Sequence, residues 1–139
     1  MFRKIMVAYD ESPEAGKALQ AAIKLAKALQ AELSVVTVIE PLPACYSFAI
    51  TPLSAIEWRK NKQTQYMSLQ TQARQQAEAA GVWLDMELVN GDEVSSIIEC
   101  AQRHRSDLLV LGMRKHRLRI GQTAKDIAKR SPCALLGIR

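Results

Sequence analysis

Short, branched apolar runs recur along this chain with a helical pattern between successive runs, and that alternation constrains the fold more than any other feature. The runs are Ile5 to Tyr9, Leu33 to Ile39, Leu108 to Leu111 and Ala134 to Ile138. Each is too short for a core helix and rich in Val, Ile and Leu, as in strands covered on both faces. The stretch Val82 to Val89 differs, because Leu84, Met86 and Leu88 alternate with Asp85 and Glu87. A strand with one wet face belongs at a sheet edge. The order β-α-β-α-β-α-β-α-β implies the α/β class: one open, five-stranded parallel sheet with right-handed crossovers and helices on both faces. With 139 residues, no internal repeat and no linker, residues 1–139 read as a single domain.

The helical patterns carry their own punctuation. Ser12 precedes Pro13, so a hydroxyl is available to cap the free amides while proline takes the first helical position, where its missing N–H costs nothing. Ala15, Ala18, Leu19, Ala22, Ala26 and Leu29 then form a core-facing stripe. A second helix is expected from about Ile56 to Ala80, closed by Gly81 and solvated on one face. A third starts at the capping carboxylate of Asp92 and presents Val94, Ile97, Ile98 and Ala101. The fourth, from near Gly121 to Arg130, is expected to bury Ala124, Ile127 and Ala128 and stops before Pro132. Between Glu40 and Ile56 the chain is irregular, Pro-rich and apolar in places, which suits either a lid or partner-binding loop, or a loop packed on the end of the sheet.

Several classes of function drop out. No stretch approaches the roughly 18 uncharged apolar residues of a membrane span, and the N-terminal run meets Asp10 too early for a signal peptide, so the chain is expected in the cytoplasm. Cys45, Cys100 and Cys133 are odd in number and widely spaced, which reads as free thiols, the latter two buried. His104 and His116 lack a cysteine or acid at ligand spacing, so no metal site is expected. Trp58 and Trp83, without an aromatic cluster, read as packing residues, and nucleic-acid recognition is not expected. Residues 1–102 carry nine Lys/Arg and twelve Asp/Glu, net −3, whereas residues 103–139 carry ten and two, net +8. The basicity is therefore local, densest from Arg114 to Arg119, and points to an anionic partner.

Ligands of open α/β sheets bind beyond the carboxyl ends of the strands, where the strand order reverses. Two loops are candidates. One follows the first strand, from Ala8 and Tyr9 through Asp10, Glu11 and Ser12. The other follows the fourth strand, where Gly112, Met113, Arg114 and Lys115 lead to Gly121, Gln122 and Thr123 at a helix start whose amides could meet a phosphate.

The Val-Ala-Tyr-Asp-Glu-Ser start before an Ala-rich helix, the strand Leu108 to Gly112 and the terminal Ser-Pro-Cys-Ala-Leu-Leu-Gly-Ile resemble the universal stress protein family over essentially the whole chain. The resemblance implies a Rossmann-like sheet in the order 3-2-1-4-5, consistent with the edge position read from alternation. It also implies a homodimer through the last strand and, in one branch, binding of ATP or AMP, with Mg²⁺ where the ligand is ATP. That branch follows the fourth strand with Gly-x2-Gly-x9-Gly-Ser/Thr. Gly112 matches the first glycine and Gly121 the third, Lys115 stands at the second, Gln122 and Thr123 fall at the end, and the loop is four residues shorter. By the resemblance, Asp10 would contact adenine or ribose, Val38 would line the base pocket, and Gly112 and Gly121 would admit the phosphates.

Three readings of function follow. The first is a stress-related regulatory module that binds an adenine nucleotide, or that has lost the nucleotide and acts through an unidentified protein partner. The second, an enzyme such as a slow ATPase, lacks a Walker loop or nucleophile elbow, and no catalytic residue is assigned. The third, a phosphoacceptor receiver, needs an Asp at the tip of the third strand, where Leu88-Val89-Asn90 stands.

Overall fold

The computed structural model of the chain describes residues 1–41, 52–114 and 122–139. Five strands, β1 (Lys4–Ala8), β2 (Glu32–Ile39), β3 (Leu84–Asn90), β4 (Leu108–Gly112) and β5 (Ala134–Ile138), alternate with four helices, α1 (Pro13–Leu29), α2 (Pro52–Ala79), α3 (Glu93–Arg103) and α4 (Gln122–Arg130). All pairings are parallel and the order is β3-β2-β1-β4-β5. Alternate residues of each strand point to opposite faces and so build two cores. Ile5, Val7, Leu33, Val35 and Leu84 pack with the alanine-rich face of α1 and with Ala73 and Ala77 of α2. Met6, Val36, Leu109 and Leu111 pack with Ile97, Ile98 and Ala101 of α3 and Ile127 of α4.

Local chemistry sets the element ends. The Ser12 hydroxyl accepts from the Ala15 amide at 3.2 Å and the Asp92 carboxylate from the Ser95 amide at 3.0 Å, caps that each contribute about 1 kcal/mol. Gly81, at φ 76°, turns the chain out of α2 in the left-handed region that suits glycine. At the amino end of the sheet, the Asp107 carboxylate accepts the backbone amides of Arg3 and Lys4 at 2.8 and 3.0 Å, tying the start of β1 to that of β4.

Some expectations need correction. Helix α2 begins at Pro52 rather than Ile56, with proline again at a first position that needs no amide. Leu29 is 41% exposed at the last turn of α1, while Ile23, on the same stripe by the 3.6-residue period, is buried. In α4 only Ile127 is buried and Ala128 is exposed, because nine residues crossing an edge region offer little face to the core. The apolar run of β5 has no fully buried residue, since β5 is an outer strand in the single chain. Cys100 is buried but Cys133 only half so. Trp83 is 68% exposed, with Arg74 stacked over its ring at 5.6 Å. Among the described residues no helix is long and apolar enough to cross a membrane. Cys45 and most of the irregular segment after Glu40 lie outside the described residues.

Candidate functional site

The strand order reverses between β1 and β4, and a cleft of about 450 Å³ opens at their carboxyl ends. Parallel register brings Ala8 of β1 level with Val36 of β2 and Leu111 of β4, so β1 and β4 end within a residue of each other while β2 runs on to Ile39 along one side. Ala8, Val38, Leu111 and Ile97 make an apolar floor. Around it stand polar groups that follow β1, β2 and β4, among them Asp10, Glu40 and Arg114.

Asp10 is held rather than free. One carboxylate oxygen accepts the Ser12 amide at 2.8 Å, shaping the turn into α1, and the other faces the Arg114 guanidinium at 3.7 Å. The sequence alone left Asp10 as either a loop acid or a ligand-facing group, and its two oxygens serve one task each. Arg114, 62% exposed, leans over the cleft from the end of β4. Gln122 and Thr123, at the start of α4, close the far side.

Ala8, Tyr9, Asp10, Val38, Gly112, Arg114, Gln122 and Thr123 line this one cleft. Met113 does not join them. Its amide donates to the Ile138 carbonyl at 2.6 Å, extending the β4–β5 pairing, and its sulfur fills the space over Gly137. Lys115 and Gly121 lie outside the described residues. Gly112 has a structural reason to be glycine: a Cβ there would collide with the Glu14–Ala15 backbone in the first turn of α1. The close approach at this glycine is between helix and strand.

Five lining residues had no signal in the sequence: Glu40, Trp58, Lys62, Tyr66 and Glu93. Glu93 carries the largest consequence. Burial first, then the charges of Glu40 and Asp10 and a hydrogen bond with Glu40, push its carboxyl up to about 7, against the smaller opposing pull of Arg114. Tyr66, buried on α2, is pushed up to about 12 by burial and by the charge of, and a hydrogen bond to, Glu11, so its phenol keeps its proton and donates to that carboxylate. Burial and the neighbouring Asp10 also raise Tyr9. The arrangement is a non-covalent binding site with an apolar floor, an acidic side toward β2 and α3, and a cationic side at Arg114.

A second cluster lies away from this cleft, where α3 covers the edge strand. Glu87 of β3 is paired with Arg103, and its Oε2 lies 2.6 Å from His104 Nε2. Burial alone would raise its carboxyl, but the hydrogen bonds to Arg103 and His104 outweigh that and hold it below the ordinary range. Spacing did not give His104 an acidic neighbour; the packing of α3 on β3 does. Among the described residues no group of three His, Cys, Asp or Glu side chains gathers as a metal site.

Comparison with known proteins places this geometry in context. The sequence model of the universal stress protein family matches residues 1–139. Universal stress protein YxiE of Bacillus subtilis is 28% identical over 148 residues, covering all of both chains. Among solved structures, universal stress protein UspA from Lactobacillus plantarum has a TM-score of 0.88 at 24% identity, over 99% of this chain and 98% of that one. A universal stress protein solved in complex with cAMP superposes at a TM-score of 0.75 and 22% identity, over 99% and 97% of the two chains. Further neighbours of the same fold were solved with dAMP, from Archaeoglobus fulgidus (TM-score 0.68, 18% identity, 99% and 98% of the two chains covered), and with AMP, from Arabidopsis thaliana (TM-score 0.69, 18% identity, 98% and 90% covered).

Proposed function

Because this chain belongs to the universal stress protein family, we propose that it is a regulatory module of the stress response whose cleft holds an adenine nucleotide between the ends of β1 and β4. The observation that carries this reading is the cleft itself, at the reversal of strand order, with an apolar floor and with Arg114 in its lining. Relatives of the same fold that carry cAMP, dAMP or AMP support the ligand class. In this reading Val38 and Ala8 pack against the base, Asp10 faces the ribose or base, and Arg114 with the start of α4 meets phosphate. ATP would bring Mg²⁺ with it. The module acts in the cytoplasm by binding rather than turnover, as a homodimer joined through β5, whose outer edge is open in the single chain.

Calorimetric titration of nucleotide-stripped protein with AMP, cAMP and Mg²⁺-ATP tests it. Micromolar binding is expected, weakened about tenfold in Arg114→Gln, the loss that about 1.4 kcal/mol from one charge-assisted contact produces. In Asp10→Ala binding should be lost while the thermal melt remains cooperative. A second reading has one specific observation in its favour: Gly112 is required by α1, so its presence does not itself call for a phosphate. If the folded wild type binds none of the three nucleotides, the protein works through dimerisation and protein contacts instead. A monomer by light scattering would overturn the pairing through β5.

A further inference from the structure

Helix α2 is too long for the sheet it covers. Its 28 residues rise about 42 Å, at about 1.5 Å each, whereas the seven of β3 span about 23 Å. The carboxyl-terminal half lies on the sheet: Ala73 and Ala77 pack in the core with Leu84, and Gln70 donates from Nε2 to the Glu87 carbonyl at 2.8 Å. The helix therefore runs antiparallel to β3 and reaches the strand's last residues near Gln70. Its turns before Tyr66 stand out beyond the carboxyl end of the sheet, beside the cleft. On this overhang Trp58, Lys62 and Tyr66 are spaced four apart and so share one helix face. All three line the cleft, Trp58 and Lys62 half-buried and Tyr66 buried, while Ile56, Glu57, Arg59 and Lys60 are exposed. The Lys62 ammonium lies over the Tyr66 ring, 5.6 Å from its centre. The wall is thus two aromatic rings with a lysine stem between them, the charge of the lysine resting on the second ring.

We propose that this face of α2 is a third wall of the ligand site, in which the indole of Trp58 stacks on the nucleotide base and so selects for ligands that carry one. The inference rests on the nucleotide reading above and deepens it, by assigning a base contact outside the loops that follow β1 and β4. A base laid over the strand ends has two faces. The floor of Ala8, Val38, Leu111 and Ile97 takes one of them out of water, and the other needs a surface of its own. The overhang brings an indole to that cleft from an element that neither candidate loop contains. Stacking accepts any base, because every base has a π-face, so the contact separates nucleotides from plain sugar phosphates more sharply than one base from another. The polar run around Trp58 does not mark it; its place follows from the length of α2 and from the anchoring of Gln70 on β3.

The chain has two tryptophans, and Trp83 lies at the other end of the sheet, just before β3, with the Arg74 guanidinium over its ring. Trp83→Phe therefore leaves Trp58 as the sole tryptophan. Titrated with AMP, or with cAMP or Mg²⁺-ATP where wild type binds that more tightly, this variant should lose emission with the midpoint that calorimetry gives. Trp58→Leu keeps bulk but has no aromatic face, and should bind the same nucleotide about tenfold more weakly, the loss of one base–aromatic stack. Trp58→Phe keeps a ring and should stay within about threefold of wild type. Thermal melts check that both variants fold, and should Trp58→Leu melt early, the emission of Trp83→Phe decides alone. Wild-type affinity in Trp58→Leu, equal weakening in the Leu and Phe variants, or emission that does not move while calorimetry saturates would overturn the proposal and leave the nucleotide reading standing. Failure of all three nucleotides to bind the folded wild type would overturn the nucleotide reading and this proposal with it.

Discussion

Glu87 and Glu93 stand close together in the chain, one on the edge strand and the other on the helix that follows it, and the fold drives their carboxyls in opposite directions. Burial raises both. At Glu87 the packing of α3 on β3 supplies Arg103 and His104, whose hydrogen bonds reverse the effect. At Glu93 the convergence of β1, β2 and α3 supplies two more acids, Asp10 and Glu40, which reinforce it. The first environment is built to hold a charge and so stabilises the edge of the sheet. The second disfavours a charge and is the kind of place where binding chemistry is found.

The contrast predicts opposite pH dependences. The folded value of Glu87 lies below its unfolded value, so its pairs add stability above the ordinary carboxylate range, and that stability is lost as pH falls through the folded value. The folded value of Glu93 lies above its unfolded value. It costs nothing in acid, the cost grows as pH rises past the ordinary carboxylate value, and it is complete above about 7.

Reversing the charge at the edge should have the largest effect. Glu87→Lys, which sets a cation against Arg103 and His104, is expected to cost about 2 kcal/mol at neutral pH in urea unfolding, and an unchanged midpoint would mean the edge pairs are too solvated to matter. Glu93→Gln should move stability the other way, gaining about 1 kcal/mol at pH ~8 after allowing for the partial exposure of the cleft and nothing at pH ~4. A loss at both pH values would mean that the Glu93 carboxyl supports α3 and that the comparison is wrong. Arg114→Gln should shift stability least, by about 0.5 kcal/mol or less, since its pair with Asp10 is exposed, while weakening nucleotide binding.

Much of the fold was legible because it depends on local pattern. The branched apolar runs named the strands, the caps at Ser12 and Asp92 named two helix starts, and the alternation in β3 named an edge. Errors fell where a pattern meets a boundary. Leu29 obeys the helical period but sits at the end of α1, where the core no longer covers it, and Met113 follows a site-like glycine yet pairs with β5. At the site, residues next to the two candidate loops were found from order alone. Glu40, Lys62, Tyr66 and Glu93 were not, because they lie past β2, on α2 and on α3, away from the two candidate loops in sequence, and only the fold brings them to the cleft.

The sequence by itself determined the alternation, and through it a parallel sheet with right-handed crossovers, since these follow from side-chain period and chain handedness, while the strand order that sets β1 beside β4 was what the family resemblance implied. Only the tertiary structure decided the electrostatics of the cleft at their carboxyl ends. The ionisation of a carboxyl depends on its burial and on the charges within a few ångströms of it, and at Glu93 those neighbours come from β1, β2 and β4.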